Sequence, residues 1–277
     1  MSKKVKAVVI TGNGTNCEME MAHACRLAGA DAVDIVHLSA LLYGEKTLDA
    51  YHFLNLPGGF LDGDDLGSAK AGANRIQHAG IRGRQEKLYE QFAGFIRQGK
   101  LILGVCNGFQ LLVKLGMLPA IGGRYDEQQV TLTVNDSGRF EDRWVYLRSN
   151  AASPCIFTQG LSGIYLPVRH GEGKLIPRDE QTLQAISRKG LIALQYSQAD
   201  YGAATMDYPA NPNGSVAGIA GLCDETGRIF GLMPHPEAYL HYTNHPRWTR
   251  EKLPQDGMGL AIFKNAVDFV KNSLLSS

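Results

Sequence analysis

A single cysteine stands where an apolar run gives way to a helical pattern. Residues 101–105 are apolar, and Gly104-Val-Cys106-Asn-Gly108 leads into the helix. This is the Gly-x-nucleophile-x-Gly pattern of a nucleophile elbow, with cysteine in the nucleophile's place. The flanking glycines avoid clashes in the sharp turn, and a helix N-terminus favours the thiolate. The pattern predicts a thiol nucleophile; a buried cysteine that serves only packing is the alternative.

A thiol nucleophile needs a base, and His235 is the candidate. It lies in Met-Pro-His-Pro-Glu at residues 233–237, which ends an apolar run. The prolines restrict the backbone on both sides of the histidine. Glu237 can bind the far ring nitrogen and fix the tautomer, as the acid of a catalytic triad does. The alternatives are a solvated loop histidine, or a metal ligand together with His241 and His245.

The elements that must position these groups alternate in type. The β-α-β-α order of the first half predicts a parallel sheet with helices on both faces and ligands at the carboxyl ends of its strands. In the second half, short strands separated by turns predict antiparallel or mixed pairing. We predict strands at residues 5–10, 33–38, 51–56, 101–105, 130–134, 143–147, 164–168, 191–195, 216–222 and 229–233, and helices at 16–27, 84–97, from 108, and 259–274.

Composition excludes several classes of protein. The net charge of +1 over 277 residues gives no electrostatic reason to expect nucleic acid or an anionic membrane as a partner. No apolar stretch approaches the roughly 20 residues that span a bilayer. The odd number of cysteines, without a CxxC pair, argues against a disulfide framework and favours a cytoplasmic location. Since no Pro-, Gly- or Ser-rich linker divides the chain, we expect residues 1–277 to form a single domain.

Several segments carry a resemblance to a known family. The cysteine elbow followed far downstream by His-Pro-Glu resembles the class I glutamine amidotransferases. More specifically, the chain resembles the glutaminase components of phosphoribosylformylglycinamidine synthases of purine biosynthesis. The segments that carry this narrower resemblance are Gly-Thr-Asn-Cys at 14–17, Leu-Pro-Gly-Gly-Phe at 56–60, Leu-Pro-Val-Arg-His-Gly-Glu-Gly at 166–173 and Asn-Pro-Asn-Gly-Ser at 211–215.

The resemblance implies a flavodoxin-like α/β fold with a mostly parallel sheet and an added small antiparallel sheet. It also implies glutamine hydrolysis, in which the Cys106 thiolate attacks the amide, His235 transfers protons and Glu237 orients His235. Backbone N–H groups would stabilise the oxyanion, and glycine there permits close approach of the substrate. The implied oxyanion and substrate-binding residues are Gly58, Gly59, Phe60, Asn107, Gln110, His170 and Gly171.

The chain lacks the sequence of a phosphate-binding loop and a dinucleotide fingerprint. It therefore cannot activate formylglycinamide ribonucleotide itself, and the resemblance implies docking onto a large synthetase subunit together with a small accessory subunit. That synthetase uses ATP and Mg²⁺; we expect no cofactor and no metal in this chain.

Two departures from the family pattern bear on the partner. Residues 60–64 read Phe-Leu-Asp-Gly-Asp where stand-alone bacterial subunits usually have Phe-Ser-Tyr-Gly-Asp, and residues 65–70 and 137–144 resemble the large fused synthases. The partner's architecture is therefore open. So are two other functions: an amidotransferase or γ-glutamyl hydrolase of another pathway, and a redox-sensing or chaperone-like relative whose elbow cysteine is oxidised. We expect residues 62–82 and 124–139 to be flexible loops, because they are rich in Gly, Asp and Ser.

Overall fold

A nine-stranded mixed sheet organises the chain, for which the computed structural model describes residues 4–276. Its strand order is β2-β1-β3-β4-β11-β10-β9-β6-β7, and β5 and β8 form a separate antiparallel pair. The strands are β1 (Lys6–Thr11), β2 (Ala32–His37), β3 (Phe53–Leu56), β4 (Leu101–Val105), β5 (Val130–Thr133), β6 (Glu141–Ser149), β7 (Gly163–His170), β8 (Lys174–Pro177), β9 (Ile192–Ser197), β10 (Ile219–Cys223) and β11 (Ile229–Leu232).

Helices connect the parallel strands and cover the sheet. The α-helices are α1 (Glu18–Leu27), α2 (Leu38–Leu42), α3 (Lys70–His78), α4 (Leu88–Arg97), α5 (Asn107–Lys114), α6 (Glu180–Arg188) and α7 (Leu260–Phe269). Every residue of β3, β4, β10 and β11 is buried, as expected for strands covered on both faces. In the part of the chain that the structure describes, no helix is long and apolar enough to cross a membrane.

The sheet changes direction at β11, and this change positions the site. The pairs β1–β2, β1–β3, β3–β4 and β4–β11 are parallel, whereas β10–β11, β9–β10, β6–β9 and β6–β7 are antiparallel. Val105, the last residue of β4, lies opposite Leu232, the last residue of β11. Since the two strands are parallel, the segments that follow them leave the same edge of the sheet.

The predicted fold class, a mostly parallel sheet flanked by helices with a small antiparallel sheet, is confirmed. The small sheet is only β5–β8; the other antiparallel strands extend the main sheet. The predicted strand at residues 216–222 begins late, because residues 216–218 form a 3₁₀ turn in which Ala217 has φ of 53°. The expected loop at residues 62–82 was wrong in part, since it contains α3 and an ion pair of 2.9 Å between Arg75 and Asp62.

Candidate active site

Cys106 lies in the sharp turn between β4 and α5. Its backbone has φ of 51° and ψ of −105°, a conformation that costs energy for a residue with a side chain. A methyl group on Gly108 would lie 1.9 Å from the carbonyl oxygen of Leu56, and one on Gly104 would lie 2.6 Å from the carbonyl oxygen of Gly108. Only glycine at both positions lets β4, β3 and α5 meet this closely. The elbow predicted from the sequence is therefore present.

The thiol of Cys106 is held at the N-terminus of a helix. The residue is only 6% exposed, and its Sγ donates a weak hydrogen bond to the carbonyl oxygen of Arg169 at 3.6 Å. Arg169 belongs to β7, so the main chain of a strand distant from β4 in the sheet contacts the nucleophile. The dipole of α5 favours a negative charge on sulfur.

His235 and Glu237 form a buried pair beside the elbow. The backbone N–H of His235 donates to the carbonyl oxygen of Pro167 at 2.8 Å, which ties the segment after β11 to β7. His235 Nδ1 lies 2.6 Å from Glu237 Oε1, and the two residues are 2% and 3% exposed. Because a carboxylate only accepts, Nδ1 carries the proton in this pair. Nε2 is buried and has no hydrogen-bond partner among the described residues.

The electrostatic environment of His235 favours its charged form. Burial alone would lower its pKa, but the carboxylate of Glu237 and the thiols of Cys106 and Cys17 outweigh burial, so the pKa of His235 lies well above its usual value. A base of this kind can accept the thiol proton of Cys106 and remain stable as an imidazolium. The third member, Glu237, orients the ring and is the largest single cause of the raised pKa of His235.

The glycine pair after β3 lies opposite the nucleophile. Gly59 has φ of 137°, and a methyl group there would lie 2.7 Å from the carbonyl oxygen of Gly14. The carbonyl oxygen of Gly58 accepts the backbone N–H groups of Asn16 and Cys17, both at 3.3 Å. A methyl group on Gly58 would lie 2.7 Å from Cε1 of His235, so this glycine makes room for the imidazole ring. Glycine serves two purposes here: a turn at one position and close packing at the other.

One cavity of about 130 Å³ collects most of these groups. Among the residues predicted from the sequence, it is lined by Cys106, His235, Gly59, Phe60, Gln110, His170 and Gly171. Gly58, Asn107 and Glu237 are not among the residues that line it. Residues that the sequence interpretation did not assign to the site also line it: Asn16, Cys17, Asp64, Ser68, Phe140, Arg169 and Glu172. Asn16, Cys17, Arg169 and Glu172 stand in the segments that carry the family resemblance, which is the signal that could have identified them.

Gln110 fixes the wall of the cavity through both ends of its amide. Its Nε2 donates to the carbonyl oxygen of Glu172 at 2.6 Å, and its Oε1 accepts from Asn107 Nδ2 at 3.1 Å. Asn107 Oδ1 in turn accepts the backbone N–H of Leu61 at 3.0 Å. The side chains of α5 thus join the elbow to the loops that follow β3 and β7. A direct contact between Gln110 and a substrate stays a prediction.

His170 lines the cavity while its ring is held in a buried polar network. Nδ1 lies 3.1 Å from Asn135 Oδ1, and Nε2 lies 3.4 Å from Asn213 Nδ2. Asn213 also donates to the hydroxyl oxygen of Tyr196 at 2.9 Å. Burial, with a smaller effect from the charge of His235, lowers the pKa of His170 to about 3. This neutral ring joins the His-Gly-Glu-Gly and Asn-Pro-Asn-Gly-Ser segments, which explains why both accompany the active site.

One end of the cavity is acidic. Asp64 Oδ2 accepts from the hydroxyl of Ser68 at 2.8 Å, and the backbone N–H of Ser68 donates to Glu172 Oε2 at 3.1 Å. Burial, together with the charge of Glu172, raises the pKa of Asp64 despite the hydrogen bond from Ser68. The two carboxyl groups give this end a negative charge that suits a cationic group of a ligand.

The two other histidines considered as metal ligands with His235 have separate structural roles. His241 Nδ1 accepts the backbone N–H of Thr243 at 3.4 Å and caps a short 3₁₀ helix. His245 is buried in an aromatic cluster, with its ring centre 5.8 Å from that of Trp144. The interpretation of His235 as a metal ligand together with His241 and His245 therefore gains no support from their positions.

Comparison with known proteins gives concordant matches. The model of the CobB/CobQ-like glutamine amidotransferase domain family matches residues 4–270. The phosphoribosylformylglycinamidine synthase subunit PurQ of Dehalococcoides mccartyi is 45% identical over 268 residues, covering 97% of this chain and 98% of that protein. The subunit of the same name from Methanococcus maripaludis is 40% identical over 274 residues, covering 95% and 97%. A chain in the structure of PurLQS from Thermotoga maritima superposes with a TM-score of 0.69 at 27% identity, covering 97% of this chain and 100% of that one.

Proposed function

The chain belongs to the family of CobB/CobQ-like glutamine amidotransferase domains, and its similar relatives in that family are PurQ subunits. We propose that it is the glutaminase component of phosphoribosylformylglycinamidine synthase. It hydrolyses glutamine and supplies ammonia to an ATP-dependent synthetase subunit. That subunit converts formylglycinamide ribonucleotide to formylglycinamidine ribonucleotide in purine biosynthesis.

The observation that carries the proposal is the 45% identity to a PurQ subunit over nearly the full length of both chains. The geometry agrees with it, since Cys106 and His235 line one cavity and Glu237 orients the histidine. An amidotransferase or γ-glutamyl hydrolase of another pathway is less well supported, because the similarity to the PurQ subunits extends over 95% to 97% of this chain.

We propose the following roles in catalysis. His235 Nε2 accepts the proton of the Cys106 thiol, and the thiolate attacks the side-chain carbonyl carbon of glutamine. Backbone N–H groups of Gly59 and Asn107 stabilise the oxyanion; Asn107 opens α5, so its N–H has no partner within the helix. The imidazolium then protonates the leaving nitrogen, the C–N bond breaks, and ammonia departs. Water, deprotonated by His235, hydrolyses the γ-glutamyl thioester to glutamate and the free thiol.

The acidic end of the cavity suggests how glutamine is oriented. Asp64 and Glu172 are suited to the α-ammonium group of the substrate, while Arg169 at the rim is suited to its α-carboxylate. Phe60 and Phe140 add apolar walls at the mouth. This orientation directs the side-chain amide of glutamine toward Cys106.

We further propose a single glutamine amidotransferase domain over residues 1–277, since the nine-stranded sheet takes strands from both halves of the chain. The partners are a large synthetase subunit and a small accessory subunit, as the name PurLQS suggests. ATP and Mg²⁺ are assigned to the synthetase, and no cofactor to this chain. The free state of all five cysteines supports a cytoplasmic location.

Reconstitution tests the proposed function. The chain is combined with the large and small synthetase subunits of its source, and formylglycinamidine ribonucleotide is measured with glutamine or ammonia as the nitrogen donor. We expect glutamine to support synthesis only when this chain is present. A γ-glutamyl electrophile should label Cys106, and glutamine should protect against it. Synthesis from ammonia but never from glutamine, by a complex that forms correctly, would contradict the proposal.

A further inference from the structure

A second thiol lies beside the catalytic pair. Cys17 ends the loop after β1, lines the same cavity as Cys106, and is half-buried. Its Sγ donates a weak hydrogen bond to Asn16 Oδ1 at 3.3 Å. A methyl group built on Gly58 would touch both Cys17 Sγ, at 3.3 Å, and Cε1 of His235, at 2.7 Å, so sulfur and ring lie on the same side of this glycine. The mechanism above gives Cys17 no part.

The groups facing Cys17 have unused coordination capacity. The Sγ of Cys17, a ring nitrogen of His235 and a carboxylate oxygen of Glu237 all lie within 4.8 Å of one another. Glu237 Oε2 is buried without a hydrogen-bond partner among the described residues, and an unpartnered buried polar atom is costly. Since Glu237 Oε1 lies 2.6 Å from His235 Nδ1, Nδ1 is the ring nitrogen that an ion shared with Glu237 would bind in place of the proton.

We propose that Cys17, His235 and Glu237 form a binding site for a thiophilic divalent metal ion, with Zn²⁺ the best match. One thiolate, one imidazole and one carboxylate are ligands that Zn²⁺ accepts in tetrahedral sites, and a fourth position is left for water or for the nearby thiol of Cys106. The hard cations Mg²⁺ and Ca²⁺ prefer all-oxygen sites and do not fit this donor set.

Metal binding and glutamine hydrolysis exclude each other at this site. When the ion binds, a bond from sulfur to metal forms and the Cys17 thiol proton is released; the ring nitrogen that binds must be unprotonated. His235 is then held by the metal and cannot shuttle the proton of Cys106. The ion is therefore an inhibitor of the glutaminase reaction and not a cofactor. This consequence rests on the proposed function, whereas the binding site itself does not.

Metal binding is tested on the full-length chain with Co²⁺, whose complexes with thiolates have a charge-transfer band in the near ultraviolet. We expect the metal-free wild-type protein to take up one Co²⁺ with this band, and excess Zn²⁺ to displace it. Cys17→Ser should lose the band. Cys106→Ser is the matched control, because it removes the other thiol of the cavity and should keep the band.

A second measurement reports inhibition. The glutaminase rates of the wild type and of Cys17→Ser are titrated with Zn²⁺, and each is compared with its own rate in chelator, which also shows that the site is folded. Loss of a residue that only hydrogen-bonds to a metal ligand weakens metal affinity by about 10–100-fold. Cys17 is a direct ligand, so Cys17→Ser should raise the inhibitory Zn²⁺ concentration by at least ~10-fold. An equal band in Cys17→Ser, or loss of the band only in Cys106→Ser, would overturn the proposal. A wild-type protein that lacks glutaminase activity but shows the Cys17-dependent band would contradict the proposed function and leave the metal site standing.

Discussion

The backbone N–H of Cys106 donates to the carbonyl oxygen of Leu232 at 2.8 Å. This bond joins the first residue after β4 to the last residue of β11. The distance between nucleophile and base is therefore set by the main-chain pairing of two parallel strands. The two side chains extend only a short way from these strand ends to meet. His235 follows Leu232 by three residues, so the register of β4 against β11 determines whether the triad can form.

Replacing the nucleophile should separate the two activities of the complex. In Cys106→Ser, we expect no detectable use of glutamine, because a serine hydroxyl at this elbow is a far weaker nucleophile than a thiolate. Synthesis from ammonia should be unchanged, since that chemistry takes place on the synthetase. Both rates are measured on a complex whose assembly is checked by size-exclusion chromatography. Loss of both activities in an intact complex would argue against this division of labour.

Replacing the base should lower the rate without affecting assembly. His235→Ala should reduce the glutaminase kcat by roughly 10²–10⁴-fold, the usual contribution of a general acid–base residue. Glu237→Gln should cost less, because Glu237 orients the ring and does not transfer the proton. His78→Ala, at the exposed end of α3, is the matched control and should retain the wild-type rate. A full rate in His235→Ala would remove this residue from the mechanism.

A methyl group at the elbow should prevent close packing. Gly108→Ala places a carbon 1.9 Å from the carbonyl oxygen of Leu56, so β3 and α5 must separate. We expect the free energy of unfolding to fall by about 1–3 kcal/mol, as for other overpacked sites, and the reactivity of Cys106 to fall with it.

Gly94→Ala is the control for that substitution. It lies within α4, and the nearest atom to its new carbon is Arg97 Nη2 at 3.7 Å. A helix gains stability when glycine is replaced by alanine at such a position, by about 0.4–1 kcal/mol. Chemical denaturation of both variants measures the difference. Equal stabilities would show that the elbow tolerates a side chain at residue 108.

The buried ring of His170 should make stability depend on pH. Its pKa is about 3 in the folded chain and about 6.5 in the unfolded chain, so the unfolded state binds the proton more tightly. Stability is then lost as the pH falls below 6.5 and continues to fall until about pH 3. Between pH 7 and pH 5, this residue alone should account for about 2 kcal/mol.

Urea unfolding of His170→Gln at both pH values tests this sign. The variant should be less stable than the wild type at pH 7, because the network with Asn135 and Asn213 is disturbed, but its stability should change less with pH. His78→Gln should follow the wild-type dependence. If His170→Gln lost as much stability on acidification as the wild-type chain, its ring would not be the group responsible.

Docking should activate the isolated chain. Phe60 and Phe140 are large apolar side chains that line the cavity and remain exposed. The segment between Leu61 and α3 contacts the rest of the site through hydrogen bonds from Leu61 to Asn107 and from Ser68 to Glu172. We expect slow hydrolysis by the chain alone, and at least a ~10-fold higher kcat, about 1.4 kcal/mol in barrier, with the synthetase loaded with nucleotide and substrate. Steady-state assays with and without the partner measure it; equal kcat values would mean that the site is fully assembled beforehand.

Local patterns were enough to predict the centre of the site. The apolar run of β4, the glycines around Cys106 and the prolines around His235 each act over a few residues, so the elbow and the position of the base could be predicted without knowledge of the fold. The positions of Arg169 and Cys17 could not, because sheet pairing between distant segments brings them to the thiol. The hydrophobic periodicity of a segment predicts whether it forms a strand or a helix, but not which distant segments it contacts.

The missed helices have a similar explanation. One of them, α3, is rich in polar residues and contains Gly72, and it is stabilised by burial of Ala73 and Ile76. Another, α6, carried a signal that could have been used: Asp179 accepts the backbone N–H of Thr182 at 2.7 Å, an ordinary N-cap. The predicted flexibility of residues 124–139 stays untested.

The pairing of β4 with β11 also has a consequence for the order in which the protein is made. The nucleophile strand leaves the ribosome long before the strand that carries the base, and β4 must wait beside β3 with its other edge open. Contacts of such large sequence separation form slowly, and an open apolar edge strand is prone to aggregation. The enzyme is therefore inactive as a nascent chain until β11 inserts into the sheet. Completion of the sheet and activation of the thiol are one event.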